Sequence, residues 1–182
     1  REMVVKDLKG VLVSLKEMGY DGVEFAGFFH YTAKEIADML QETGLKAVSS
    51  HVPLASIESD MFGTIAFHKA IGCENIVVPY LEEERRPGKP AFAKVMQSIY
   101  QFGELCKLAG IRLLYHNHDF EFVEFSGMYG LDFMYDAIPA DILQTEIDVC
   151  WVKYSGVCPA EYIRKYTGRA PIVHLKDFVC RK

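Results

Sequence analysis

No stretch of about 18 consecutive apolar residues occurs in this sequence, so nothing in it is suited to crossing a membrane as a helix. Basic charge is also scarce. Twenty Lys and Arg stand against 25 Asp and Glu, and a net charge of −5 repels phosphate backbones, which argues against nucleic acid as a partner. Cysteine is sparse and unpaired. The five thiols (Cys73, Cys106, Cys150, Cys158, Cys180) are scattered, with no CxxC pair, which argues against a disulfide framework or a thiolate zinc site. They read as free packing residues of a reducing, cytoplasmic compartment, and no signal-peptide pattern opens the chain. Low-complexity tracts and linkers are missing, as is any GxGxxG run of the kind that follows the first strand of a dinucleotide-binding sheet. What is left is an ordinary globular composition, 50% apolar and 25% charged, read as a single domain over residues 1–182.

One unit recurs along that domain. An amphipathic stretch ends at a glycine and a short β-type run follows, as in Gly19 before Gly22-Val23-Glu24-Phe25 and Gly44 before Leu45 to His51. Gly72 before Asn75 to Pro79 and Gly110 before Ile111 to His116 repeat it. A glycine just past a helix supplies the left-handed conformation that other residues resist. The preceding stretches have helical spacing: Val4, Leu8, Val11, Leu12, Leu15 and Met18 share one face, and Phe92, Val95, Met96, Ile99 and Cys106 another. Thr32 with Glu35 forms a capping box ahead of Ile36 and Leu40. Two further strands are expected over Leu143–Val152 and Ile172–Asp177, giving six strands with helices between them.

Strands alternating with helices imply a parallel sheet, and two topologies compete, an open doubly wound sheet and a closed (β/α)8 TIM barrel. The barrel places chemistry at the C-terminal ends of its strands. Glu24, His51, His116 with His118, Asp148, and His174 with Lys176 and Asp177 collect at strand ends, which favours the barrel. A full barrel takes about 250 residues. The expectation is therefore an incomplete one, with a first strand before Arg1 and a closing strand after Lys182 missing.

Residues i and i+2 of a strand face the same way, so Asp148 shares a face with Glu146 and Cys150, His116 with His118, and His174 with Lys176. Imidazoles and a carboxylate from neighbouring strands suit a divalent ion such as Zn²⁺, Mn²⁺, Co²⁺ or Fe²⁺ better than Ca²⁺, and His116, Asp148 and His174 are the candidate ligands. Glu24, His51, His118 and the sole tryptophan, Trp151, placed at the end of the Asp148 strand, are the candidates to bind substrate. Glu121 is read as a solvated loop carboxylate with the alternative of a general base. Asn117 is expected to bond backbone at its strand end. The run Glu82-Glu83-Glu84-Arg85-Arg86 reads as a solvated loop, or alternatively as part of a lid.

Taken together, Gly19-Tyr20-Asp21-Gly22-Val23-Glu24, Ser50-His51-Val52-Pro53, Tyr115-His116-Asn117-His118-Asp119-Phe120-Glu121-Phe122, Glu146-Ile147-Asp148-Val149-Cys150-Trp151 and His174-Leu175-Lys176-Asp177 resemble the xylose isomerase-like TIM barrels of the sugar phosphate isomerase/epimerase family. The resemblance implies a divalent metal (Mn²⁺, Zn²⁺, Co²⁺ or Mg²⁺) with Asp148 and His174 as ligands. It also puts His116 where the family's epimerases carry a glutamate. The function it implies is a metal-dependent sugar isomerase/epimerase working through an enediolate, within carbohydrate metabolism. His116 or Glu121 would move the proton, and Lys176 would meet oxyanion charge. Alternatives are a dehydratase or lyase on a keto-inositol or 3-keto-sugar, an abasic-site-endonuclease-like phosphodiesterase, which the acidic charge disfavours, and a non-catalytic sugar-binding barrel. The expected partner is a small-molecule sugar, and a homo-oligomer is left open.

Overall fold

The computed structural model describes residues 2–125 and 127–179, so Cys180 lies outside the described residues. Six strands form one parallel sheet whose spatial order is the order of the chain: β1 (Gly22–Phe25), β2 (Lys46–His51), β3 (Asn75–Val78), β4 (Arg112–His116), β5 (Gln144–Asp148) and β6 (Ile172–His174). Each strand pairs with its predecessor through an intervening helical crossover, and the sheet curls as an incomplete (β/α) barrel. Among the described residues β1 and β6 do not pair, yet Glu24 on β1 and His174 on β6 meet at 2.8 Å across the curl.

The helices cover the outer face: α1 (Leu8–Glu17), α2 (Ala33–Thr43), α3 (Met61–Ala70), α4 (Phe92–Leu108), α5 (Gly130–Ala137), α6 (Val149–Tyr154) and α7 (Pro159–Lys165). The capping box read ahead of α2 is formed, with the Thr32 backbone N–H donating to Glu35 Oε2 at 2.7 Å and the Glu35 N–H to Thr32 Oγ1 at 3.3 Å. Gly44 closes that helix at φ 68°, the left-handed geometry its position required. On α4, Phe92, Val95, Ile99, Phe102 and Cys106 are buried against Leu113 and Tyr115 of β4 and the residues around them. A second, smaller cluster packs Leu8 and Leu12 of α1 with Phe25, Ile36, Leu40 and Leu45. No described helix is long and apolar enough to cross a membrane.

Three expectations change. The stripe from Val4 to Met18 is not one helix, because Asp7 accepts a hydrogen bond from Gly10 N at 2.8 Å and caps a new start at Leu8. Met18 lies past the helix end and is exposed. The strand expected over Leu143–Val152 ends at Asp148, which caps α6 with its own carboxylate, so Cys150 and Trp151 sit on a helix. The last strand stops at His174, ahead of Lys176 and Asp177. Cys73, Cys106, Cys150 and Cys158 are free, and the first three are buried as packing residues while Cys158 is exposed. Burial pushes the Cys73 thiol up to about 11 and that of Cys106 to about 12, which keeps both inert as thiols.

Candidate functional site

Parallel strands of a curled sheet aim alternate side chains at one mouth, and five of the six strands deliver a titratable group there. Glu146 of β5 is the hub, fully buried at 0% exposure. Its Oε2 lies 2.8 Å from His51 Nε2, 2.9 Å from His116 Nδ1 and 3.5 Å from His174 Nε2. Glu24 closes the ring from β1, with Oε1 at 2.8 Å from His174 Nε2 and 3.2 Å from His51 Nε2, and it also accepts the Ser49 hydroxyl. The imidazoles crowd one another, with ring centroids 4.8 Å apart for His116 and His174 and 5.1 Å for His51 and His116.

Glu146 Oε1 is buried with no hydrogen-bond partner. Burial works to raise the Glu146 carboxyl, but the imidazoles of His116 and His51 outweigh it and hold the group below the ordinary carboxylate range. The hydrogen bond to Glu24 raises His174 above its ordinary value against its own burial. An orphaned buried oxygen beside imidazoles is the environment a cation would complete. Ligand atoms of His51, His116, Glu146 and His174 all lie within 4.8 Å of one another, and this nitrogen-rich set fits Zn²⁺, Co²⁺, Fe²⁺ or Mn²⁺.

Of the three ligands read from the sequence, His116 and His174 belong to this converging set and Asp148 stands beside it. Asp148 Oδ1 accepts from Cys150 N at 2.9 Å and Trp151 N at 3.1 Å, which commits that oxygen to the α6 N-terminus. Its Oδ2 receives Lys176 Nζ at 3.0 Å and lies 3.8 Å from His116 Nε2 and 3.9 Å from His174 Nδ1. Glu146 takes the central place instead. The two-residue alternation that put Glu146 on the face of Asp148 was the signal for it, and its unpartnered oxygen was not visible in the sequence. His51, read as a substrate contact, also joins the candidate ligand set.

The other wall of the mouth is aromatic. His118 is edge-on to Tyr80 at 5.2 Å, stacked on Phe120 at 5.9 Å and 11°, and 5.1 Å from Trp151. Lys176 Nζ stands 5.1 Å over the Trp151 ring. Burial, then the nearby His116 and Lys176, lowers His118 to about 4, so it faces the mouth as a neutral imidazole near pH 7. His118 Nδ1 and Trp151 Nε1 are both buried without partners. Asn117 bonds backbone as expected, accepting Asp148 N at 2.9 Å and donating to Asp148 O at 3.3 Å, which ties β4 to β5.

Glu121 is not a solvated loop carboxylate. A single turn over Phe120–Phe122 tucks it inside at 0% exposure, where Oε1 accepts Tyr115 Oη at 2.6 Å and Oε2 accepts His118 N at 2.8 Å. Burial pushes its carboxyl up to about 7, with those two hydrogen bonds pulling the other way. The run Glu82 to Arg86 is tied down as well. Arg85 grips Glu58 at 2.6 and 3.0 Å, and Arg86 donates to Leu81 O at 3.1 Å and to the Tyr80 hydroxyl.

A family model for the xylose isomerase-like TIM barrel matches residues 12–181. The inosose dehydratase of Geobacillus kaustophilus is 21% identical over 189 residues, and the match takes in 92% of this chain and 61% of that relative's length. A sugar phosphate isomerase/epimerase from Parabacteroides distasonis superposes with a TM-score of 0.85 at 23% identity, over 97% of this chain and 71% of its own. The 3-keto-D-glucoside 4-epimerase YcjR of E. coli gives a TM-score of 0.64 at 15% identity, over 94% of this chain and 74% of its own. At these identities the structural likeness speaks for the fold. By their names these relatives are a dehydratase, a sugar phosphate isomerase/epimerase and an epimerase.

Proposed function

The chain belongs to the xylose isomerase-like TIM barrel family, and from that premise we propose that it performs metal-dependent isomerase or epimerase chemistry on a sugar or keto-sugar. The observation that carries the reading is the convergence of His51, His116, Glu146 and His174 from four strands on one mouth, with Glu146 Oε1 left unpartnered. These four residues would hold the ion, with Asp148 beside them. A divalent ion there supplies Lewis-acid stabilisation of charge developing on a carbonyl oxygen.

The chain's own residues divide the remaining work. Glu24, partly open and hydrogen-bonded to Ser49 and His174, takes the proton from the carbon next to the carbonyl. Glu121 is too enclosed for that role and instead holds Tyr115 and the His118 backbone in place. Lys176 reaches in beside Asp148, where its ammonium meets oxyanion charge or a substrate hydroxyl. Trp151 offers a ring face to sugar C–H groups, its unpartnered indole N–H donates to a hydroxyl, and His118 Nδ1 adds a further polar contact. Returning the proton to the same or the neighbouring carbon completes an epimerisation or isomerisation.

A second reading is dehydration of a keto-cyclitol, in which the same enolate expels a β-hydroxyl as water. It is favoured by the likeness to an inosose dehydratase, a match that takes in 92% of this chain. The test is metal analysis of the purified protein, then a screen of keto-sugars and inosose in D₂O with the ion-loaded protein. Deuterium uptake without an ultraviolet-absorbing product supports the first reading, and such a product supports the second. Neither signal with any keto-sugar would sink both.

A further inference from the structure

Arg86 is a cation without a carboxylate within ion-pair distance among the described residues, unlike its neighbour Arg85, which Glu58 neutralises. Its guanidinium lies 3.9 Å over the Phe120 ring and 5.2 Å from the Tyr80 ring. The same group donates to Leu81 O and to the Tyr80 hydroxyl. Tyr80 follows β3 and Phe120 follows β4, so one side chain bridges the loops of two successive crossovers. The rings it holds are the two that flank His118, which in turn touches Trp151. The loop is braced at its other end too: a Cβ placed on Gly130 would lie 2.5 Å from Pro87 Cγ, so the Arg86–Pro87 segment packs on the start of α5.

We propose that Arg86 is a positioning residue whose planar fork, serving a carbonyl, a phenol and a ring face at once, sets the width of the aromatic wall beside the ion cluster. Its consequence for a sugar ligand rests on the function proposed above. A lysine would not replace it, because a compact ammonium cannot stack on one ring while donating in a fixed fork to the other loop. The Glu82–Arg86 run is then a clip between two loops and not a lid.

Trp151 is the only tryptophan, so its emission reports this wall directly. The test compares the protein with Arg86→Met, Arg86→Lys and Phe120→Leu, using acrylamide quenching of Trp151, inosose binding followed by the same emission, and Zn²⁺ affinity by chelator competition. Arg86→Met is expected to raise the quenching constant about twofold or more and weaken inosose about tenfold, the scale of a lost half-buried cation–π contact. Zn²⁺ affinity should stay within about twofold, since Arg86 touches none of the candidate ligands. Arg86→Lys should behave like Arg86→Met. Phe120→Leu should move the same readouts in the same direction and keeps the test decisive if Arg86→Met does not fold. Unchanged quenching in the foldable variants, or full recovery with Lys, would overturn the assignment. Absence of inosose binding in the parent protein counts against the keto-cyclitol reading alone, because quenching still decides the role of Arg86.

Discussion

Asp132 on α5 and Glu146 on β5 are both carboxylates drawn into the protein, and each has three donor groups around it. Around Asp132, Tyr162 Oη donates at 2.8 Å, Tyr166 Oη at 2.5 Å and Lys165 Nζ at 2.7 Å, so both oxygens are served. Around Glu146 all three imidazoles crowd one oxygen, and the other has no partner. The first cluster fastens α7 to α5 on the outside of the sheet, away from the mouth. The second gathers at the strand ends around a fully buried Glu146 and leaves a polar demand unmet. A satisfied buried network contributes stability and order, whereas an unsatisfied one costs stability unless something else binds there. The contrast separates a structural cluster from a functional one inside a single chain.

Glu146→Gln should give the largest effect. The amide keeps the shape and removes the charge, so Zn²⁺ or Co²⁺ affinity should fall more than the roughly 100-fold at the upper end of outer-shell substitutions, while thermal stability of the ion-free protein holds or rises. Retained affinity by chelator competition would erase the distinction between the two carboxylates. Asp132→Ala should do the reverse, costing about 2–3 kcal/mol in denaturant unfolding through lost hydrogen bonds, with ion affinity unchanged. A variant as stable as the parent would show that the outer cluster contributes nothing.

The smallest effect falls on Glu121, whose carboxyl is raised from an ordinary 4.5 to about 7. The unfolded chain ionises first, so the stability this residue contributes is complete below pH 4.5 and is lost as pH rises through 7. Glu121→Gln should therefore flatten the stability profile between those limits, because the group whose folded and unfolded titrations differ is gone. Parallel profiles for the two proteins would mean that Glu121 ionises at the same pH in the folded and unfolded chain.

The strand ends were readable because the β-period is two. The alternation put Glu146 and Asp148 on one face of their strand, and the collection of His116, Asp148 and His174 at strand ends is what joined the three strands in one site. The helix starts were readable where a cap stood next to an apolar stripe, as at Thr32. What escaped depended on tertiary closure. Glu121 is the exception, because its donors, the Tyr115 hydroxyl and the His118 backbone N–H, lie only six and three residues back; the strand alternation does not extend into the single turn that rolls the carboxylate inward. Asp148 has two uses, since an aspartate is as good an N-cap as it is a ligand, and here Oδ1 serves the α6 N-terminus while Oδ2 meets Lys176. Arg86 looked like part of a charge run, and only the meeting of two loops shows it lying over rings.

The strictly sequential strand order sets a timetable. Each strand docks beside one already made, so pairing can advance from the amino end as the chain emerges from a ribosome, with only moderate loop closures at each step. The ion cluster does not share that gradual schedule. Glu24 is delivered with β1 and His174 with β6, and the two touch only when the strands between them have curled. A bound cation would then act as a clasp on the docking of β6, slowing its release and stabilising the curled sheet by mass action.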